Sequence, residues 1–227
     1  MVYAGSILKL RKNAKAVTSG VTADTFRQIE TSIVYDIDGE EITSLSGTKD
    51  LHYISSSDMP DILKRAFVIT EDRDFYSHHG VDLSAIIRAA VAHVKHNAIK
   101  QGASTITQQL AKNMFLTQDV TWERKITEMF AAMELEKKFS KEQILEFYIN
   151  NIYYANGYYG IEAAAQGYFG KSVNDLSLSQ LIFLVAIPNN PSKYDPVNNL
   201  DAAKSRRDLI LKQLYAEGEI SGLDYYS

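Results

Sequence analysis

Apolar residues recur at spacings of three and four along most of the chain, a pattern that predicts a mostly helical protein. The clearest stretch follows Asp58 and Pro60 and places five apolar side chains on one face before Glu71. A second begins after Asp82, which is positioned to cap it, and continues to about Val94. Because Asp and a following Pro favour helix starts, both stretches are predicted to be helices.

Further helices are predicted downstream on the same grounds. Their predicted positions are a helix from Ser104, a helix from Thr121 to Lys138, a helix from Ser140, and helices over Ile161–Phe169, Leu178–Ala186 and Leu200–Glu217. Ser140 and Gln143 have the spacing of a capping box. With no internal repeat visible, these helices predict one mostly α domain over residues 51–227.

The segment before this domain alternates between apolar and polar residues from Thr31 to Leu45. Such alternation is typical of a half-buried strand, and the Asp38-Gly39 pair favours a tight turn. We therefore predict a β-hairpin within residues 31–50.

The N-terminus is basic. Residues 1–20 contain Lys9, Arg11, Lys12 and Lys15 and no acidic residue, so this segment has a charge of +4. Because the net charge of the whole chain is −4, the remaining residues carry −8. Residues 1–30 are interpreted as a basic stub and linker, which is either a solvated leader or a segment beside a membrane anchor. The longest apolar run, Leu181–Ile187, is far shorter than the roughly 20 residues that span a bilayer.

Composition excludes several classes of protein. The chain has 45% hydrophobic and 23% charged residues, as a soluble globular protein does. The absence of cysteine excludes disulfide frameworks, thiolate nucleophiles and iron–sulfur clusters. A negative net charge and a pI near 5.8 argue against nucleic acid as a partner.

Two segments hold candidate chemistry. Glu71–Gly80 concentrates three acids, two histidines and an arginine directly after an apolar helix. It is either a charged helix end or the site of a general base, Glu71, at the mouth of a partly apolar cleft. Gly102–Asn113 places hydroxyl and amide side chains at a helix start, followed by Lys112. It is either a polar surface helix or a cradle for phosphate.

A third candidate lies on the next helix. Arg124 and Glu128 are four residues apart and share one face. Such pairs are common on helix surfaces, so this one is either a structural ion pair or part of the site. If the preceding helix binds phosphate, Arg124 and Glu128 would place a cation and a carboxylate beside the leaving group.

Taken together, these segments resemble the peptidoglycan glycosyltransferases of glycosyltransferase family 51, which occur in class A penicillin-binding proteins and as monofunctional enzymes. Five segments carry the resemblance: Glu71–Gly80, Gly102–Asn113, Arg124–Glu128, Lys141–Asn150 and Leu178–Pro196. One departure is Gln180, where the family usually has glutamate.

The resemblance implies a lysozyme-like helical head and a smaller membrane-facing jaw, built from about residues 81–101 and 113–120. It implies lipid II and the growing lipid-linked glycan as substrates, and phosphoglycolipids such as moenomycin as inhibitors. It also implies a location on the extracytoplasmic face of the bacterial plasma membrane, with an anchoring N-terminal helix outside this sequence. No organic cofactor is implied. A divalent cation, Mg²⁺ or Mn²⁺, is an optional cofactor.

The resemblance also assigns roles to residues. Glu71 is the expected base for the acceptor hydroxyl, and Glu128 is the second carboxylate, at the donor site. Lys112 and Arg124 are expected to neutralise pyrophosphate. The remaining predicted substrate-binding residues are Asp72, Phe75 and His78 around the base, and Ser104, Thr105, Gln108, Gln109, Asn113 and Lys125 at the donor end.

Two other functions stay open at this point. A lysozyme-like hydrolase would use one glutamate as an acid to cleave glycan, and it would not need Lys112 or Arg124. A non-catalytic glycan- or membrane-binding module would need neither glutamate. The products formed from labelled lipid II distinguish the three functions.

Overall fold

The computed structural model describes residues 2–27, 32–35, 37, 41–45, 52–88, 104–117, 119 and 121–226. Most of these residues are helical, which confirms the mostly α prediction. The chain divides into two compact units. Unit 1 comprises Met1–Ala23 and Val68–Tyr148, and unit 2 comprises Asp24–Phe67 and Ile149–Ser227.

Unit 1 is built from helices. They are α1 (Val2–Ser19), the end of α3 (Asp61–Glu71), α4 (residues 83–88), α5 (Ile106–Phe115), α6 (Trp122–Leu135) and most of α7 (Lys141–Asn151). Every residue that the sequence places at the site lies in this unit.

Unit 2 contains the remaining elements. They are α2 (Ala23–Arg27, its first residue in unit 1), strands β1 (Ser32–Tyr35) and β2 (Glu41–Leu45), α8 (Ile161–Phe169), a 3₁₀ turn (Val173–Asp175), α9 (Leu178–Ala186), α10 (Leu200–Ala216) and α11 (Gly222–Tyr226). The core of this unit includes the apolar side chains of α9, which are buried from Leu181 to Ala186.

Local capping sets several helix starts. The predicted capping box at Ser140 is present, with the Gln143 N–H donating to Ser140 Oγ at 3.2 Å and the Ser140 N–H donating to Gln143 Oε1 at 3.0 Å. Asp82 caps α4 as predicted, since its Oδ1 accepts the Ala85 N–H at 2.9 Å. Both caps satisfy backbone donors that the helix itself leaves unpaired.

Strands β1 and β2 pair antiparallel, with Ser32 opposite Leu45 and a register irregularity between Val34 and Tyr35. The predicted Asp38-Gly39 turn lies outside the described residues. Residues 89–103 lie outside them as well, and they include most of the first predicted jaw segment. The division into head and jaw therefore stays a prediction.

The basic N-terminal segment is a helix that packs against α6. Ala14 and Thr18 are buried along it. The ammonium group of Lys138 donates to the carbonyl oxygens of Thr18 at 2.5 Å and Ser19 at 2.9 Å, which satisfies orphan carbonyls at the end of α1. This segment was expected to be a stub and linker. The prediction missed the helix because its buried positions are small or polar and give no apolar stripe.

A single glycine fixes the approach of the Glu71–Gly80 segment to α6. Gly80 has φ +89°, and a Cβ there would stand 2.7 Å from the backbone carbonyl carbon of Ala132. Its own carbonyl oxygen accepts the Thr105 hydroxyl at 2.6 Å. Only glycine permits both the positive φ and this close backbone approach.

We expect Gly80→Ala to lower the melting temperature by at least about 3 °C more than Gly157→Ala, followed by circular dichroism. Gly157 is the matched control, because its φ is +86° but a Cβ there would meet nothing within 4 Å. The control therefore measures backbone strain alone, and the difference measures the collision with Ala132. Equal losses in the two variants would contradict the close approach.

Among the described residues, no helix is both long enough and apolar enough to cross a membrane.

Candidate active site

The predicted base stands at the end of α3. The side-chain amide of Gln109, on α5, donates from Nε2 to Glu71 Oε2 at 3.2 Å. The other end of that amide, Oε1, accepts the Tyr148 hydroxyl at 3.0 Å. The Glu71 carboxylate is therefore held by a side chain that is itself held from α7.

Asp72 ties the base-bearing segment to the start of α5. Its carboxylate accepts the Ile106 N–H at 2.9 Å and Nε2–H of His78 at 3.0 Å. His78 Nδ1 in turn accepts the Gly80 N–H at 3.2 Å, which assigns the proton of the neutral ring to Nε2. Asp72 and His78 are both nearly buried, so they shape the surroundings of Glu71 through backbone anchoring.

Phe75 is fully buried. Its ring lies edge-on to Tyr76, with centroids 5.1 Å apart, and the Lys141 ammonium lies 4.5 Å from its centroid. In this structure the ring therefore has a packing role, and substrate binding by Phe75 stays a prediction.

The donor-end carboxylate is buried among cations. The side chain of Glu128 is 2% exposed and pairs with Arg124 Nη1 at 2.5 Å and with the ammonium group of Lys125. Gln108 Nε2 donates to the same carboxylate at 3.1 Å. The spacing of three and four residues on α6 places both cations beside Glu128, as predicted for Arg124.

Three cations gather at this end: Lys112, Arg124 and Lys125, hereafter the cation cluster. The Lys125 ammonium also donates to Ser104 Oγ at 2.6 Å. One carboxylate, Glu128, does not balance three positive charges. Arg124 Nε is buried and has no hydrogen-bond partner among the described residues. An excess of positive charge with an unused N–H suits an anion such as phosphate.

Lys112 is half-buried, as are the other two members of the cluster. Burial lowers the pKa of its ammonium from the ordinary 10.5, Arg124 and Lys125 lower it further, and Glu128 opposes them. Within the part of the chain that the structure describes, the side-chain ammonium of Lys112 makes no hydrogen bond or ion pair. It is therefore available to a ligand.

The hydroxyl of Thr105 is already used in capping α5. It accepts the Gln108 N–H at 3.1 Å and donates to the Gly80 carbonyl oxygen, while Gln108 Oε1 accepts the Thr105 N–H. Asn113 is exposed near the end of the same helix. Phosphate binding by Thr105 and Asn113 stays a prediction.

An open cleft of about 180 Å³ lies beside the base. Its lining is partly apolar, through Ile69 and Ala85, and is otherwise charged or polar. The lining residues are Ile69, Thr70, Glu71, Asp72, Arg73, Asp74, Asp82, Ala85, Arg88, Ser104 and Thr105. The buried Thr70 hydroxyl has no hydrogen-bond partner among the described residues, so the cleft offers an unused polar group near Glu71.

Sequence reasoning missed the support that α7 gives to the site. Lys141 pairs with Glu136 at 2.7 Å, and Glu136 also accepts the Thr107 hydroxyl at 2.6 Å. Tyr148 reaches Gln109 from the same helix. Lys141 and Tyr148 are seven residues apart, so they share a face, and this spacing is the signal that could have identified them.

We expect affinity for a phosphoglycolipid to fall as the pH rises through the lowered pKa of Lys112, because the neutral amine no longer attracts phosphate. Lys112→Arg remains charged throughout this range and should hold its affinity up to about pH 10.5. Titrating a fluorescent phosphoglycolipid against both proteins between about pH 7.5 and 10.5 measures the difference. Parallel profiles would show that Lys112 does not contact the anion.

A family model described as Transglycosylase matches residues 38–215. The chain belongs to the transglycosylase family. It is 46% identical over 196 residues to Penicillin-binding protein 1A of Aquifex aeolicus, and the aligned region covers 86% of this chain and 27% of the relative. It is 41% identical over 194 residues to Penicillin-binding protein 4 of Bacillus subtilis, covering 85% and 31%. It is 42% identical over 188 residues to Penicillin-binding protein 1A of Escherichia coli, covering 83% and 22%.

This transglycosylase chain thus spans between about a fifth and a third of the length of these relatives. The resemblance and the enzyme class predicted from the sequence are confirmed: the chain is a peptidoglycan glycosyltransferase module. The departure at Gln180 has a local explanation. Its Oε1 accepts the Ser177 N–H at 2.9 Å in the capping box of α9, a bond that the amide makes as glutamate would.

Proposed function

We propose that this module polymerises lipid II into β-1,4-linked glycan with inversion and releases undecaprenyl pyrophosphate. The bond between the donor sugar C1 and the pyrophosphate oxygen breaks as the acceptor 4-oxygen bonds to C1. The acceptor proton passes to Glu71, and the electron pair leaves with the pyrophosphate. One carboxylate base on the face opposite the leaving group is the requirement for inversion.

The acceptor end supports this assignment through the setting of Glu71. The carboxylate borders the open cleft, and one of its oxygens is oriented by Gln109. A base needs this combination of access and fixed direction, since proton transfer requires hydrogen-bond distance to the hydroxyl. Asp72 and His78 hold the segment behind it.

The donor end carries the proposal, and the deciding observation is the excess of positive charge around Glu128. Pyrophosphate leaves as a stable anion, so it needs cations rather than a strong acid. The cation cluster supplies three, and Lys112 and Arg124 retain unused donors. Glu128 is buried and fully paired, so we assign it the task of holding Arg124 and Lys125 in place.

A divalent cation stays a prediction for the described residues. They contain no group of three or more His, Cys, Asp or Glu side chains that could hold a metal ion. Glu128 is already paired with two cations. The proposed steps therefore use none.

The test for this function is incubation of the protein with labelled lipid II. Glycan polymer supports the proposal, and fragments released from preformed glycan would show the hydrolase instead. Binding without either product would show a non-catalytic module.

We also propose that the module works against the extracytoplasmic membrane surface, where the lipid carrier of its substrate resides. The strongly exposed apolar side chains of unit 1 include Leu83 at 67%, Ile87 at 63% and Trp122 at 82%. Leu83 and Ile87 are one turn apart on α4, and Trp122 begins α6. Exposed aliphatic and tryptophan side chains are suited to the headgroup region of a bilayer.

We expect Leu83→Glu combined with Ile87→Glu to lower liposome binding and activity on membrane-embedded lipid II at least about fivefold. Activity on a short-chain, water-soluble analogue should be unchanged, because the variants leave the cleft carboxylate and cations in place. Leu209→Glu is the matched control, since Leu209 is 60% exposed on α10 in unit 2. Equal loss on both substrates would contradict the membrane role.

A further inference from the structure

We propose that Tyr148 is a positioning residue for the transfer reaction, acting on Glu71 through the amide of Gln109. This inference rests on the proposed function and names a residue that the resemblance leaves without a role. Tyr148 itself does not border the cleft.

The direction of the hydrogen bonds carries the argument. The Tyr148 hydroxyl donates to Oε1 of Gln109, so the oxygen end of the amide faces α7. The NH₂ end must then face α3, where Nε2 donates to Glu71 Oε2 at 3.2 Å. Rotating the amide by half a turn would bring Oε1 against the carboxylate, and two acceptors would then face each other.

Burial makes this direction the preferred one. The side chain of Tyr148 is fully buried, so its hydroxyl cannot exchange this hydrogen bond for one to solvent. Among the described residues, the amide of Gln109 has two hydrogen-bond partners, Tyr148 and Glu71. The amide is therefore the link between a fixed donor and the base.

The three side chains stand on three helices that are held by their own capping and anchoring hydrogen bonds. α5 begins at the Thr105–Gln108 capping box, and α7 begins at the Ser140–Gln143 capping box. The Asp72 carboxylate accepts the first N–H of α5, which fixes α5 against the end of α3. Tyr148 thus acts from a rigid element rather than from a loop, as a positioning residue must.

Tyr148→Phe keeps the ring and removes only the hydroxyl. We expect kcat for lipid II polymerisation to fall about tenfold, because the amide is then free to rotate away from Glu71. KM should stay within about twofold, since the cation cluster is unchanged.

Tyr154→Phe is the matched control. Tyr154 is also fully buried, and its hydroxyl donates to the Ile149 carbonyl oxygen at 3.2 Å, away from the base. Both variants should lower the melting temperature by a similar few degrees, yet only Tyr148→Phe should lower kcat.

A double-mutant cycle separates positioning from a general structural effect. In a Gln109→Met background the amide is absent, so adding Tyr148→Phe should change kcat by less than about twofold. A tenfold further loss in that background would overturn the proposal, as would a kcat of Tyr148→Phe equal to that of the parent protein. All rates are measured at a temperature where circular dichroism shows every variant folded. If the parent protein forms no polymer, the proposed function fails instead.

Discussion

Glu71→Gln is expected to lower lipid II polymerisation at least about a hundredfold, because it keeps the volume of the side chain and removes the base. The Gln109 amide that orients Glu71 can still bond to the new side chain oxygen, so the cleft should remain intact. Binding of lipid II should survive, since the cation cluster is untouched. Rates of glycan formation and binding isotherms measure the two effects.

Glu142→Gln is the control for this result, because Glu142 is exposed in the first turn of α7. It should polymerise at the parent rate. Activity of Glu71→Gln within a few-fold of the parent protein would overturn the assignment of the base.

Glu128→Gln should have an effect of similar size by a different route. It leaves Arg124 and Lys125 without their anionic partner in a buried site, and losing one partner of a buried pair is strongly destabilising. We expect at least a hundredfold loss of polymerisation and a clear fall in melting temperature. Because Glu128 raises the pKa of Lys112, its removal should also make the loss larger at alkaline pH.

Glu134→Gln is the control on the same helix. Glu134 pairs with Lys137 at 2.7 Å in a more exposed i,i+3 arrangement. An exposed pair contributes little to stability, so this variant should resemble the parent protein. Parent-like activity in Glu128→Gln would show that the cations do not need that carboxylate.

Helices with local signals at both ends were predicted closely. Ile161–Phe169 and Leu178–Ala186 have the predicted bounds, and Ser140 has its predicted capping box. The sequence also placed Arg124 beside Glu128 correctly. All of these features depend on residues within four positions of each other, where helix geometry alone decides which side chains meet.

Features that depend on distant residues were not predictable. Tyr148 and Gln109 are 39 residues apart, and Lys138 and Thr18 are 120 apart. The resemblance assigned Phe75 to the site, and the local sequence gave no sign that its ring is buried and packs against Lys141 of α7. Local sequence patterns carry no information on which helices pack together. These contacts could therefore be identified only from the three-dimensional structure.

Because α1 packs against α6, the compact structural unit and the segment matched by the family model have different first residues. The family model begins to match at residue 38, whereas the compact unit that holds the cation cluster begins with α1. A protein trimmed to the matched residues would lose the partner of α6 and leave Lys138 without its carbonyl acceptors. The compact unit is therefore longer than the segment that the family model matches, and we expect truncations for expression or crystallisation to need the first helix.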